Sequence, residues 1–124
     1  MFVPQHFQDR SVCVMGLGYV GLTLAVAMAE AGFQVTGVEI REEVVESLKR
    51  GVAHFFEPTL DEKLKRAVDN GSLQVFRKIP PGREASVYII TVGTPLGNDG
   101  RARLDMIENV SREVAAHMKD DDLI

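Results

Sequence analysis

The sequence predicts a doubly wound α/β fold built on a parallel sheet, and three observations carry that prediction. Short β-branched apolar runs alternate with longer segments of helical period, the pattern of successive β-α-β units. Two of the runs, "SVCVM" and "SVYIITV", are continuously apolar, as strands covered on both faces must be. The first run then breaks into Gly16-x-Gly18-x-x-Gly21 at the point where a helix begins.

Taken in order, a polar leader over residues 1–10 precedes "SVCVM", the first strand. The helix that follows, Tyr19 to Ala31, is rich in alanine. Gly21, Ala25, Ala29 and Gly32 give it a ridge of small residues that lets it lie close to a sheet. Gly32 closes this helix, and "FQVTGVEI" is a second strand ending at Glu39. "REEVVESLKRG" is a charged helix with an apolar stripe at Val44, Val45 and Leu48, stopped by Gly51.

The loop "GVAHFFEP" ends at Pro58, and "TLDE" reads as a capping box with Thr59 as cap and Glu62 three residues on. Leu60, Leu64, Ala67 and Val68 are the buried face of a helix that runs to Asn70 and stops at Gly71. "SLQVF" is a third strand, "RKIPPGREA" a connection and "SVYIITV" a fourth strand. After the turn-rich "GTPLGNDGRARL", Asp105 with Glu108 repeats the capping pattern before a helix presenting Ile107, Val110, Val114 and Met118. "KDDDLI" reads as the opening of a fifth strand, so the sheet is expected to continue past residue 124. Residues 11–124 make one domain.

Composition narrows the function classes. The 124 residues carry a formal charge of −4 and no local cluster of lysine and arginine, which argues against nucleic acid as a partner. The longest apolar stretch, "LTLAVAMA", falls far short of the roughly 20 residues a membrane span needs. "MFVPQHFQDR" lacks the apolar core of a signal peptide, so a cytoplasmic chain is expected. Cys13, the single cysteine, lies inside an apolar strand as a small hydrophobe, and His6, His54 and His117 show no metal-ligand spacing. No metal site and no catalytic residue is expected within the chain.

The glycine turn carries the chemistry. Gly16 permits a tight turn, Gly18 lets the backbone approach a pyrophosphate, and Gly21 lets the helix pack on the strand. Amide N–H groups and the positive end of the helix dipole then face the phosphates, with Tyr19 and Val20 in the first turn. Glu39 stands 18 residues after Gly21 at the end of the second strand, where its carboxylate can accept bonds from both hydroxyls of an adenosine ribose. These features define a Rossmann-type dinucleotide site.

A 2′-phosphate there would set like charges roughly 4 Å apart, at a cost on the order of 4 kcal/mol near a surface, which favours NAD over NADP. Arg41, two residues on, opposes that inference because it could turn to meet the phosphate; Ile40 lies between the two. Across the crevice, the loop after the fourth strand brings Val92, Gly93, Thr94 and Pro95 beside the glycine turn. Two readings fit a domain of this kind. One is the cofactor half of a dehydrogenase, the other a regulatory nucleotide-sensing domain of a channel or transporter.

In series, "GLGYVGL", "GVEI", "LKRGVAHFFEPTL" and "VGTPLGNDGRARLDMI" resemble the successive blocks of the UDP-glucose/GDP-mannose dehydrogenase family, the nucleotide-sugar 6-dehydrogenases, over residues 11–124. The Glu57-Pro58 block and the "VGTP" block separate it from hydroxyacyl-CoA and 6-phosphogluconate dehydrogenases. The resemblance implies that Gly16, Gly18, Tyr19, Val20 and Gly21 hold the pyrophosphate of NAD, that Glu39 holds the ribose, and that Thr94 and Pro95 flank the cofactor. It also implies oxidation of a sugar C6 alcohol to a carboxylate by two successive hydride transfers to NAD, with a nucleotide sugar as partner. "AHFFEP" stands nearer the N-acetylmannosamine branch than the UDP-glucose branch.

This chain departs from the pattern in carrying Glu39 for aspartate, Val44 for a basic residue and Thr59 for glycine. The family's cysteine nucleophile and catalytic lysine lie beyond residue 124, so the chain is expected to bind cofactor and not to turn over sugar. Its exposed sheet edge is a surface on which a second copy could pair as a homo-oligomer.

Overall fold

A computed structural model describes residues 5–124, and the part of the polar leader before residue 5 lies outside them. A single 3-10 turn, Gln5–Phe7, leads into strand β1, Ser11–Met15. There follow α1 (Tyr19–Glu30), β2 (Gln34–Val38), α2 (Glu42–Lys49), α3 (Leu60–Asp69), β3 (Leu73–Phe76), β4 (Val87–Ile90) and α4 (Asp105–His117). The strands form one parallel sheet in the order β3-β2-β1-β4.

Alternation along β1 sorts the core into two layers, because successive side chains point to opposite faces. Val12 and Val14 pack with Leu22, Ala25, Val26 and Ala29 of α1, with Val45 and Leu48 of α2, and with Leu60, Leu64 and Ala67 of α3. Cys13 and Met15 face the other way, onto Tyr88, Ile79, Ala85 and Val114 of α4. Burial pushes the Cys13 thiol up to about 12, with Glu113 adding to the shift, so it remains protonated and packs as the small hydrophobe expected.

Where the ends of the elements differ from expectation, the physical reasons are local. Thr59 sits at φ 65°, in the left-handed region, and makes no side-chain cap bond. A capping side chain needs an extended backbone to reach the second or third amide of the helix, so the predicted capping box does not form. Asp61 instead accepts the Ala53 N–H at 2.9 Å and ties the preceding loop to α3. Likewise Leu104, not Asp105, occupies the cap position of α4, and Arg103 holds the Asp105 carboxylate at 2.8 and 3.1 Å.

The small-residue ridge of α1 is buried at Gly21, Ala25 and Ala29, whereas Gly32 is an exposed stop at φ 99°. On α4 only Val114 is fully buried, Val110 is partly covered, Met118 lies one residue past the helix, and Ile107 is 37% exposed. β4 ends at Ile90, short of the predicted Val92; the Thr91 N–H still bonds the Met15 carbonyl of β1 at 2.8 Å, and Val92 follows at the crevice. Leu123 bridges Val87 in parallel, with the Tyr88 N–H donating to the Leu123 carbonyl at 2.8 Å; this is an isolated bridge at the β4 edge, and residues 119–124 form no strand where a fifth was expected.

The closeness of α1 to β1 rests on Gly21. A Cβ there would lie 1.9 Å from the Gly16 carbonyl oxygen and 2.5 Å from the Thr91 hydroxyl, whereas one at Gly18 would meet nothing within 4 Å. Gly21→Ala is therefore expected to destabilise the chain by on the order of 2 kcal/mol or more, through forced backbone displacement. Gly18→Ala is expected to leave the melting temperature essentially unchanged, and thermal unfolding of the two variants side by side checks the contrast.

Candidate functional site

β1 lies between β2 and β4, so the connections leaving its carboxyl end diverge and open a crevice at that switch point. A cavity of about 430 Å³ fills the crevice. Three strand ends supply its floor: Gly16 and Gly18 after β1, Glu39, Ile40 and Arg41 after β2, and Thr91, Val92 and Gly93 after β4. One face of α4 supplies the opposite wall, through Met106, Asn109, Val110 and Glu113.

The glycine turn is held rigidly from both sides. Gly16, at φ 99°, donates its N–H to the Val38 carbonyl at 2.8 Å. A Cβ at this glycine would lie 2.9 Å from the Thr91 carbonyl oxygen, so both the dihedral and the space call for glycine. The Thr91 hydroxyl donates to the Gly16 carbonyl oxygen at 2.7 Å and stitches the end of β4 to the turn.

Gly18 is the N-cap of α1, with no side-chain cap bond, and the first turn of the helix carries no acidic residue. The opening N–H groups of a helix have no carbonyl within it to bond, and here no side chain of the helix itself caps its positive end. Clear space lies over Gly18 on the cavity side. A pyrophosphate fits a seat of this kind: backbone donors, a favourable dipole and no Cβ in the way.

Glu39 is only 6% exposed. Its Oε1 accepts the Leu17 N–H at 3.2 Å, and its Oε2 accepts both the Arg41 N–H and Arg41 Nε at 3.0 Å. Burial raises the Glu39 carboxyl, but the Arg41 hydrogen bonds, the Leu17 N–H and the guanidinium charge together outweigh burial and hold it below its ordinary value. The carboxylate is thus ionised near neutrality, and with Arg41 Nη2 also reaching Oε1 at 3.4 Å each oxygen has two donors, so a ribose hydroxyl bonds it by taking the place of an Arg41 side-chain contact.

Of the twelve residues expected at the site, the structure brings Gly16, Gly18, Glu39, Ile40, Arg41, Val92 and Gly93 together around the cavity. Gly21 lies beneath it as a packing residue. Tyr19 and Val20 are 58% and 66% exposed outside the lining, and the Tyr19 ring packs on Phe55 while its hydroxyl donates to Glu57 at 2.8 Å. Thr94 and Pro95 are exposed in a tight loop closed by the Arg103 N–H to the Pro95 carbonyl at 2.7 Å, outside the lining as well. Three features were not anticipated: the Leu17 amide, the Thr91 hydroxyl and the α4 wall. Only the wall had a signal in the sequence, since Met106, Asn109, Val110 and Glu113 recur at helical spacing.

Comparison with known proteins adds to this geometry. A UDP-N-acetyl-D-mannosamine dehydrogenase of Pyrococcus horikoshii is 39% identical over 107 residues, which are 86% of this chain and 25% of that protein. A UDP-glucose 6-dehydrogenase of Bacillus subtilis is 32% identical over 115 residues, 92% of this chain and 26% of that protein. The solved structure of the Pyrococcus horikoshii UDP-D-ManNAc dehydrogenase superposes with a TM-score of 0.85 at 38% identity, covering 91% of this chain and 27% of its own. The chain spans about a quarter of the length of these relatives. Residues 10–124 match the NAD binding domain of the UDP-glucose/GDP-mannose dehydrogenase family, and the chain belongs to that family.

Proposed function

We propose that the crevice holds the adenosine and pyrophosphate portion of NAD, and that the chain is the cofactor-binding part of an enzyme oxidising the C6 alcohol of a nucleotide sugar to a carboxylate. The observation that carries this reading is the open seat at Gly18, joined through Leu17 to the Glu39 carboxylate. In the proposed pose the first amides of α1 bind the pyrophosphate, and Glu39 accepts the ribose hydroxyls. Gly16, Gly93 and Val92 bound the space between. NAD supplies the hydride acceptor.

Residues 11–124 are proposed as the cofactor-binding unit, with 1–10 as its leader. Tyr19, Val20, Thr94 and Pro95 lie at the rim of the site, and their proposed contacts are with the parts of cofactor or protein that reach over it. The sugar is proposed to be of the N-acetylmannosamine type, on the "AHFFEP" stretch and the function of the Pyrococcus horikoshii relative. Among the described residues no helix is long and apolar enough to cross a membrane, and the proposed setting is the cytoplasm. The dehydrogenases among its relatives favour this reading over a sensor domain.

Thioester chemistry on the sugar needs an accessible nucleophile, and Cys13, fully buried with its thiol raised to about 12, does not provide one. The purified chain is therefore expected to give no NADH from any nucleotide sugar; sustained NADH absorbance on mixing would contradict this. Calorimetric titration is expected to show NAD bound in preference to NADP. Gly18→Ala should weaken NAD binding by roughly tenfold or more at unchanged fold stability, since loss of two amide–phosphate bonds is worth at least that. Undiminished binding by Gly18→Ala would place the pyrophosphate elsewhere.

A further inference from the structure

The face that α4 turns to the crevice mixes two kinds of side chain. Met106 and Val110 are apolar, Asn109 and Glu113 stand one helical turn apart and are polar, and all four line the cavity. Ile40 and Val92 bound it from the strand ends. The space between has apolar walls on both sides and a short row of polar atoms on one of them, as a pocket for a flat heteroaromatic ring requires.

Most polar side chains of the lining are already engaged. Glu39 and Arg41 hold each other, Thr91 donates to the Gly16 carbonyl, and Arg103 holds Asp105. Asn109 is exposed and makes no side-chain hydrogen bond among the described residues. Glu113 accepts the Ile79 N–H at Oε2, 2.6 Å away, which fixes the carboxylate and leaves Oε1 without a hydrogen bond among the described residues. An amide and one carboxylate oxygen are thus left for a ligand, both on α4.

We infer that Asn109 and Glu113 read the amino edge of the adenine ring, so that the crevice selects a 6-amino purine over a 6-oxo one. The inference rests on the reading of the crevice as the adenosine site. Adenine offers an N6 amino donor beside a ring-nitrogen acceptor, and an asparagine amide matches that pair with its own oxygen and nitrogen. A carboxylate oxygen only accepts, so it takes the second N6 hydrogen. A 6-oxo purine sets an acceptor at the same place, where it meets the carboxylate lone pair to lone pair. The Asn109 amide can turn over to suit either base, whereas the Glu113 carboxylate cannot. Glu113 therefore decides which base is preferred, and Asn109 adds affinity and orientation.

Calorimetric titration of the full chain with NAD and with nicotinamide hypoxanthine dinucleotide tests this in three proteins: the unmodified chain, Asn109→Ala and Glu113→Gln. Glutamine keeps an oxygen for the Ile79 N–H and presents an NH2 group in place of the second oxygen, and circular dichroism verifies folding. Should Glu113→Gln not fold, the unmodified chain and Asn109→Ala, a change at an exposed position, still decide the matter.

The unmodified chain is expected to favour NAD by about tenfold or more, the discrimination one well-placed base-edge pair supplies. Glu113→Gln should lose that preference, because its NH2 donates to the 6-oxo group. Asn109→Ala should weaken NAD binding by about tenfold and keep the order of the two dinucleotides. Equal affinity of the unmodified chain for both, an undiminished preference in Glu113→Gln, or unchanged NAD affinity in Asn109→Ala overturns the inference, while NAD binding by the unmodified chain keeps the site reading intact. Failure of the unmodified chain to bind NAD overturns the site reading and the inference together.

Discussion

The carbonyl oxygen of Gly16 lies 1.9 Å from the point where a side chain at Gly21 would place its first carbon, and that same carbonyl accepts the Thr91 hydroxyl. Three strand ends and a helix meet at this spot with no room to spare. Because Gly21 has no side chain, α1 drops onto β1, and because Thr91 bonds the turn, β4 is drawn to the same level. The helix N-terminus is thereby aimed into the crevice rather than over the edge of the sheet. Gly18, two residues past Gly16, is left facing open space. Crowding at two glycines and vacancy at the third are opposite physical demands met by one residue type.

From that junction the two ends of the site are coupled mechanically. The Leu17 N–H in the turn donates to Glu39 past β2, and the Glu39 N–H continues the ladder to the Phe76 carbonyl of β3 at 3.0 Å. The proposed phosphate seat and the proposed ribose acceptor are therefore parts of one hydrogen-bonded frame. Arg41 completes it by compensating the buried carboxylate, so that the negative charge opposite α1 is retained without an unpaired buried ion. The far wall is looser: α4 commits only Val114 fully to the core, and Glu113 ties it to the β3–β4 connection through the Ile79 N–H at 2.6 Å.

Much of this is legible in the sequence. The β-branched runs gave every strand to within two residues, and the three glycines with Glu39 located the crevice, because those features obey short-range rules of period, sterics and spacing. The side-chain caps expected at Thr59 and Asp105 do not form, since a cap depends on the backbone angle of one residue and on rival partners such as Arg103. The side-chain surroundings of Tyr19, which packs on Phe55 and bonds Glu57, come from the loop before α3 and are encoded in no pattern local to the glycine turn. Thr91 read as one more strand residue. Its importance arises only from the parallel pairing of β4 with β1, a contact across 75 residues of chain that no local pattern encodes.

The account is tested most directly by following backbone amide resonances of the ¹⁵N-labelled chain during titration with NAD. It predicts saturable shifts concentrated at the amides of Gly16 to Gly21, at Glu39 to Arg41 and at Val92 and Gly93, with the outer faces of α2 and α3 unmoved. Shifts centred on other elements, or none at saturating NAD, would contradict a phosphate seat at the glycine turn.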